Sequence, residues 1–181
     1  MEVAIKRLPR AELLVALMLI GLGAGARLVP HPANFAPVTA IALFGGAVLP
    51  RRWAVWVPLA VMIASDLFIG FYDIMPIVWA CYVVIALASS TWLRRPSLLK
   101  GAALTVGASI FFFMVTNFAV WAFGGMYAHT ADGLAQCYVL ALPFFRSSLL
   151  SDLLYTGLLF GALHYARAGI VQLSVKAAYL R

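Results

Sequence analysis

Residues 75–88 read Met75-Pro76-Ile77-Val78-Trp79-Ala80-Cys81-Tyr82-Val83-Val84-Ile85-Ala86-Leu87-Ala88, without a charge among them. With its continuation to Leu93 the run is apolar enough to sit in lipid, where about 20 such residues cross the hydrocarbon core. It holds one thiol, Cys81, about one and a half helical turns past Pro76. A cysteine on such a helix reads either as a small, inert packing residue or, where other polar groups reach the same depth, as a ligand.

The remainder of the chain has the same character. Of its 181 residues 65% are hydrophobic and 10% charged, with a mean hydropathy of +1.00, a surface that only lipid tolerates. Apolar runs separated by charge or Pro/Gly punctuation predict six helices, over about 11–29, 36–50, 53–70, 76–93, 99–123 and 148–167. The expected fold is therefore an all-α integral membrane protein, a single transmembrane domain over 1–181 with six transmembrane helices. The second run is short, so it is expected to tilt or to pack inside the bundle. The basic N-terminus, Met1 to Arg10, is followed by a full-length span without a clear cleavage site, which reads as a retained helix rather than a signal peptide. Cys81 and Cys137 form neither a disulfide framework nor a Cys-His zinc spacing.

A net charge of +7 raises the question of nucleic acid, and its distribution answers it. Eleven of the thirteen Lys/Arg, namely Lys6, Arg7, Arg10, Arg51, Arg52, Arg94, Arg95, Lys100, Arg167, Lys176 and Arg181, fall at the termini and at the second and fourth junctions. Only Arg27 and Arg146 fall on the other side. The positive-inside rule then puts both termini in the cytoplasm, as an even number of spans also requires. The basic charge is topological; the expected partner is the lipid bilayer, not nucleic acid.

The opposite, outer side has its own chemistry. Three prolines in Pro30-His31-Pro32-Ala33-Asn34-Phe35-Ala36-Pro37 forbid a helix there. Phe71-Tyr72-Asp73 follows the third run, and an outer connection spans 124–147. Its apolar stretch Leu134 to Phe145 is too short to span and is read as an interfacial helix or a lid. Intramembrane charges cost about 2.5–3.5 kcal/mol on insertion scales and usually face a bundle interior. Here Asp66, Asp152, Asn117, Cys81 and Tyr82 all fall in the outer half, beneath His31 and Arg146, while the inner half is aliphatic and aromatic. Each has a plainer reading. Asp152 would cap the sixth helix or pair with Arg146; Asn117 would be helix–helix glue; His31 would be a polar loop residue. Asp66 needs a partner or water. Ser65-Asp66-Leu67 recurs as Ser151-Asp152-Leu153, which is read as chance.

Together these residues describe a polar-rimmed cavity open to the outside and sealed below, with Phe35, Phe71, Tyr72, Trp79, Tyr82 and Trp121 available as aromatic lining. Cys81 with His31 or His129 forms no recognisable hydrolase motif, and no Walker loop is present. A channel would want polar groups through the full depth. What remains is capture of a small molecule from outside. A thiolate at the pocket floor suits a soft or borderline metal centre such as the cobalt of a corrinoid.

Several stretches resemble a known family: Pro30 to Pro37 with Leu43-Phe44-Gly45-Gly46, Ser65-Asp66-Leu67 with Gly70-Phe71-Tyr72-Asp73, Thr116-Asn117-Phe118, Cys137-Tyr138, and Pro143-Phe144-Phe145-Arg146 with Asp152-Leu153-Leu154-Tyr155-Thr156. They are similar to small six-helix bacterial proteins related to the substrate-binding (S) components of energy-coupling-factor vitamin transporters. A cysteine at the Cys81 position resembles the BtuM group, the solitary S components for cobalamin (vitamin B12). The resemblance implies an S-component-like bundle in the bacterial inner membrane that takes base-off cobalamin from outside. Cys81 would be the axial cobalt ligand, and thiolate-assisted decyanation of cyanocobalamin its chemical corollary. His31, Asn34, Phe35, Asp66, Tyr72, Tyr82, Asn117 and Arg146 are the expected ligand contacts. The alternatives are an S-type transporter of another small molecule with Cys81 structural, or a thiol-dependent membrane enzyme. S components that dock a shared energising ATPase module commonly carry Ala-x-x-x-Ala on the first helix. This chain has Gly21-x-x-x-Gly25 near the outer end instead, read as helix packing within the bundle, which favours a solitary transporter or a different docking surface.

Overall fold

The computed structural model describes residues 9–94 and 98–179. Lys6, Arg7, Arg95 and Arg181, all assigned to the basic side above, lie outside them, as does the side chain of Lys176. The described residues form six helices: α1 (Pro9–Leu28), α2 (Val38–Val48), α3 (Arg51–Ile69), α4 (Met75–Trp92), α5 (Leu98–Phe123) and α6 (Ala131–Tyr179). Five are long and apolar enough to cross a membrane, as a multi-pass membrane protein requires.

The exception is α2. Pro37 and Pro50 trim the expected 36–50 run to 11 residues, about 16 Å of helix against a hydrocarbon core of about 30 Å. The expectation of six transmembrane helices becomes five of span length and one short internal helix. Ala40, Ile41, Ala42 and Leu43 are fully buried, and α2 touches all five other helices. Ile41 packs in one cluster with Ala16, Leu19, Val57, Val61, Met62 and Val78. Leu43 accepts a hydrogen bond from Ser89 of α4 through its carbonyl, so α2 begins about midway down α4. Residues 29–37 occupy the other half of that depth as non-helical chain.

Two expectations are corrected here. Gly21 and Gly25 do not mediate packing within the bundle, because a Cβ at either would meet nothing within 4 Å. The close-packed glycine of α1 is Gly23, where a Cβ would lie 2.7 Å from Ile41 Cδ1. The outer connection 124–147 is not a separate segment with a lid. It turns at 124–130 and enters α6, whose 49 residues carry Pro143 internally. A straight helix of that length would measure about 74 Å, more than twice the hydrocarbon core. Its first part instead lies along the end of α5: the Tyr138 hydroxyl donates to the Met114 carbonyl at 2.7 Å, and the Phe113 ring meets Tyr138 edge-on and Phe145 at a tilt. Neighbouring elements in a membrane tolerate a helical proline by re-satisfying the freed backbone groups.

Short junctions set the two ends of the bundle apart. Arg51, Arg52, Arg94, Lys100 and Arg167 gather at one, the basic end. Arg27 and Arg146 lie at the other, the pocket end.

Candidate functional site

The segment 29–37 is held in place by α6. Ser147 donates to the Ala33 carbonyl at 2.7 Å, Ser151 donates to the Ala36 carbonyl at 3.2 Å, and Phe35 meets the ring of Tyr155 edge-on. These three anchors recur every four residues on one face of α6. Within the segment, the Phe35 amide bonds back to the Pro32 carbonyl at 3.0 Å and Asn34 adopts φ 58°, a left-handed conformation that asparagine accepts more readily than most residues.

Between this segment and α3, α4, α5 and α6 lies a cavity of about 540 Å³. His31, Asn34 and Ala36 line it from the segment, Val38 and Thr39 from the start of α2, and Tyr72, Ile74, Val78 and Tyr82 from α4 and the turn before it. Ser109, Phe112, Phe113, Thr116 and Asn117 come from α5, and Ala141, Phe144, Phe145, Ser148 and Asp152 from α6. Of the expected contacts, His31, Asn34, Tyr72, Tyr82 and Asn117 therefore share one wall.

The others do not line it. Cys81 is buried at 2% exposure, beside wall residue Tyr82 in sequence but absent from the wall itself. Phe35 packs on Tyr155. Arg146 is exposed outside the cavity. Asp66 lies behind the wall, where it is 1% exposed and carries the main electrostatic feature of this end. Arg27 Nη2 stands 2.8 Å from Asp66 Oδ1, an ion-pair contact rather than an aligned hydrogen bond, and Trp79 Nε1 donates to Oδ2 at 2.8 Å. Arg27 also donates to Ser65 Oγ at 2.7 Å and reaches into the cavity.

Sequence reasoning missed Arg27 as a site residue, although the signal was present. An arginine and an aspartate at the same depth of two spans are each too costly to stay unpaired.

Asp152 is the second buried acid, 4% exposed and on the wall. It accepts a 2.6 Å hydrogen bond from Ser109 Oγ and interacts with the Thr39 side chain. Neither plainer reading of it holds: α6 begins 21 residues earlier, at Ala131, so Asp152 caps nothing, and its partners are Ser109 and Thr39 rather than Arg146. Asn117 is likewise not interhelical glue, since its amide donates to the Phe113 carbonyl of its own helix. The repeated Ser-Asp-Leu triplet has a structural counterpart, because Ser65, Asp66, Ser151 and Asp152 are all buried and hydrogen-bonded or ion-paired.

Tyr72 sits at the junction of the cavity and the Arg27–Asp66 pair. Burial, followed by the nearby Asp66 charge, pushes its phenol up to about 12 against the opposing pull of Arg27. It is therefore a protonated hydrogen-bond donor throughout the neutral range. Beneath the cavity, Ala42, Leu43, Ile85 and Ala86 close the floor with aliphatic side chains. Among the described residues, no three His, Cys, Asp or Glu side chains group as a metal site. The lining offers amides, hydroxyls, rings and two opposite charges.

The model of DUF6580, a family of unknown function, matches residues 7–173. Neither a curated protein nor a solved structure matches the chain. The chain belongs to the DUF6580 family.

Proposed function

We propose that this member of the DUF6580 family is a membrane-embedded capture protein of the S-component type, taking a small polar molecule from the side on which residues 29–37, 70–74 and 124–130 lie. The observation that carries the reading is the asymmetry of the cavity: its polar groups lie toward one end of the bundle and aliphatic packing seals the other. The excess of Lys/Arg at the basic end supports placing that end and both termini in the cytoplasm of a bacterial inner membrane, with the pocket facing outward. Arg27 and Asp152 offer opposite charges, Asn34 and Asn117 offer amides, and Phe112, Phe113, Phe144 and Phe145 offer flat surfaces. That combination suits a ring-bearing solute with both donors and acceptors.

Because Cys81 lies off the wall, the form of the reading best supported is the one in which it packs and another solute binds. The corrinoid form rests on the adjacency of Cys81 to Tyr82, and it requires α4 to turn so that the thiol reaches the cobalt of bound cobalamin.

The two forms separate in one experiment. Protein purified from cobalamin-fed cells is denatured, and the released solutes are analysed by mass spectrometry alongside the visible spectrum of the intact protein. The expected result is a solute retained by wild type and Cys81→Ala and depleted in Asn117→Leu, with no corrinoid absorbance. A corrinoid spectrum that shifts in Cys81→Ser, with cyanide release that needs the thiol, would install cobalamin instead. Extracts indistinguishable from detergent blanks would sink both.

A further inference from the structure

At the basic end, the seam between α5 and α6 opens into a second cavity of about 520 Å³. Ala102 of α5 and Leu153, Gly157, Phe160 and Leu163 of α6 form its sides, and His164 and Arg167 stand at its mouth. Thr105 and Thr156 at its base are already satisfied: Thr105 Oγ1 donates to the Gly101 carbonyl at 2.8 Å and lies 3.3 Å from Thr156 Oγ1. Ala102, Leu153 and Gly157 are exposed on helices long and apolar enough to span, so the groove faces hydrocarbon. Water would find few partners there.

The dimensions and the charge both suit a lipid. From Thr156 to Arg167 the helix rises about 16 Å, close to half of a hydrocarbon core of about 30 Å. The groove thus runs from mid-membrane to one headgroup layer. It ends there on a guanidinium, whose fork of donors matches phosphate oxygens. Arg51, Arg52, Arg94 and Lys100 at the same end add to the positive field.

We infer that this groove is a binding site for an anionic phospholipid of the leaflet at the basic end, with an acyl chain along the α5–α6 seam and the phosphate on Arg167 beside His164. The site is separate from the pocket-end cavity and does not depend on what that cavity binds.

The test is native mass spectrometry of the full-length protein in non-ionic detergent, titrated with phosphatidylglycerol and phosphatidylcholine of identical chains. Wild type is expected to retain phosphatidylglycerol about fivefold over phosphatidylcholine, the scale of one basic side chain near an anionic lipid. Arg167→Gln should remove most of the preference. Gly157→Leu should reduce retention of both lipids by filling the groove, and it should fold, since a Cβ there meets nothing within 4 Å. Equal retention of the two lipids by wild type would overturn the proposal. So would a folded Gly157→Leu that keeps phosphatidylglycerol as wild type does, or a protein dimer rather than a lipid adduct that is lost in Gly157→Leu.

Discussion

Arg27→Met is expected to destabilise the protein by about 3–5 kcal/mol, the range for removing one partner of a buried ion pair. The cost comes from what is left behind. Asp66 is 1% exposed and, among the described residues, keeps only the Trp79 indole as a side-chain donor; Ser65, which now receives the Arg27 donor, turns its own proton to the Val61 and Met62 carbonyls. An unpaired carboxylate in a bundle interior must be protonated, hydrated or moved. Adding Asp66→Asn to Arg27→Met should recover at least half of the loss, because the neutral amide still accepts from Trp79 and no charge remains to be solvated. Asp66→Asn alone strands the guanidinium less severely, since Arg27 is 14% exposed and can turn toward the cavity. Denaturant titration of the four proteins in one detergent measures the cycle. A loss below about 1 kcal/mol in Arg27→Met, the level of an exposed pair, would show that this pair carries no structural weight. Solute retention adds a second readout: Arg27 stands on the cavity, so its loss should weaken binding even in the stabilised double variant.

Much of this end of the molecule was legible in the sequence because membrane chemistry leaves few choices. Prolines at 30, 32 and 37 fixed a non-helical segment, and the cost of polar groups in lipid placed Asp66, Cys81, Tyr82, Asn117 and Asp152 in the outer half beneath His31, of which Tyr82, Asn117, Asp152 and His31 do line the cavity. Depth, however, is not direction. Successive residues on a helix point about 100° apart, and α4 is apolar all round, so no polar face indicates which side turns inward. Tyr82 therefore reaches the cavity and Cys81 does not. The pairing of Arg27 with Asp66 across 39 positions, and of Asp152 with Ser109 across 43, is a tertiary fact of the same kind. Reading 124–147 as a connection separate from the sixth helix misjudged α6, because in a membrane bundle a proline such as Pro143 can be carried inside a helix that neighbours support.

The glycines give the sharpest test of how α2 is seated. A Cβ at Gly46 would fall 2.5 Å from the Ala86 carbonyl oxygen, 2.6 Å from Ser89 Cβ and 2.9 Å from Ser89 Oγ. One of these atoms is backbone and cannot step aside, so Gly46→Ala is expected at or above the top of the range of about 1–3 kcal/mol seen for overpacked cores. Gly23→Ala should cost less, because its closest neighbours are methyl groups of Ile41 and Val61 that can shift. Gly21→Ala and Gly25→Ala meet open space and should be neutral, or stabilising by up to about 1 kcal/mol through helix propensity. A thermal series in detergent should therefore rank Gly46→Ala below Gly23→Ala, and Gly23→Ala below wild type. Destabilisation by Gly21→Ala or Gly25→Ala equal to that of Gly23→Ala would mean α1 is rotated from the position described. The effect at Gly46 reaches the pocket as well. Gly46 and Ser89 set how closely α2 approaches α4, and the opposite end of α2 carries Val38 and Thr39 on the cavity wall, with Thr39 against Asp152. Pushing α2 away from α4 displaces that contact, so Gly46→Ala should lose bound solute at temperatures where the helices remain folded, whereas Gly21→Ala should retain it.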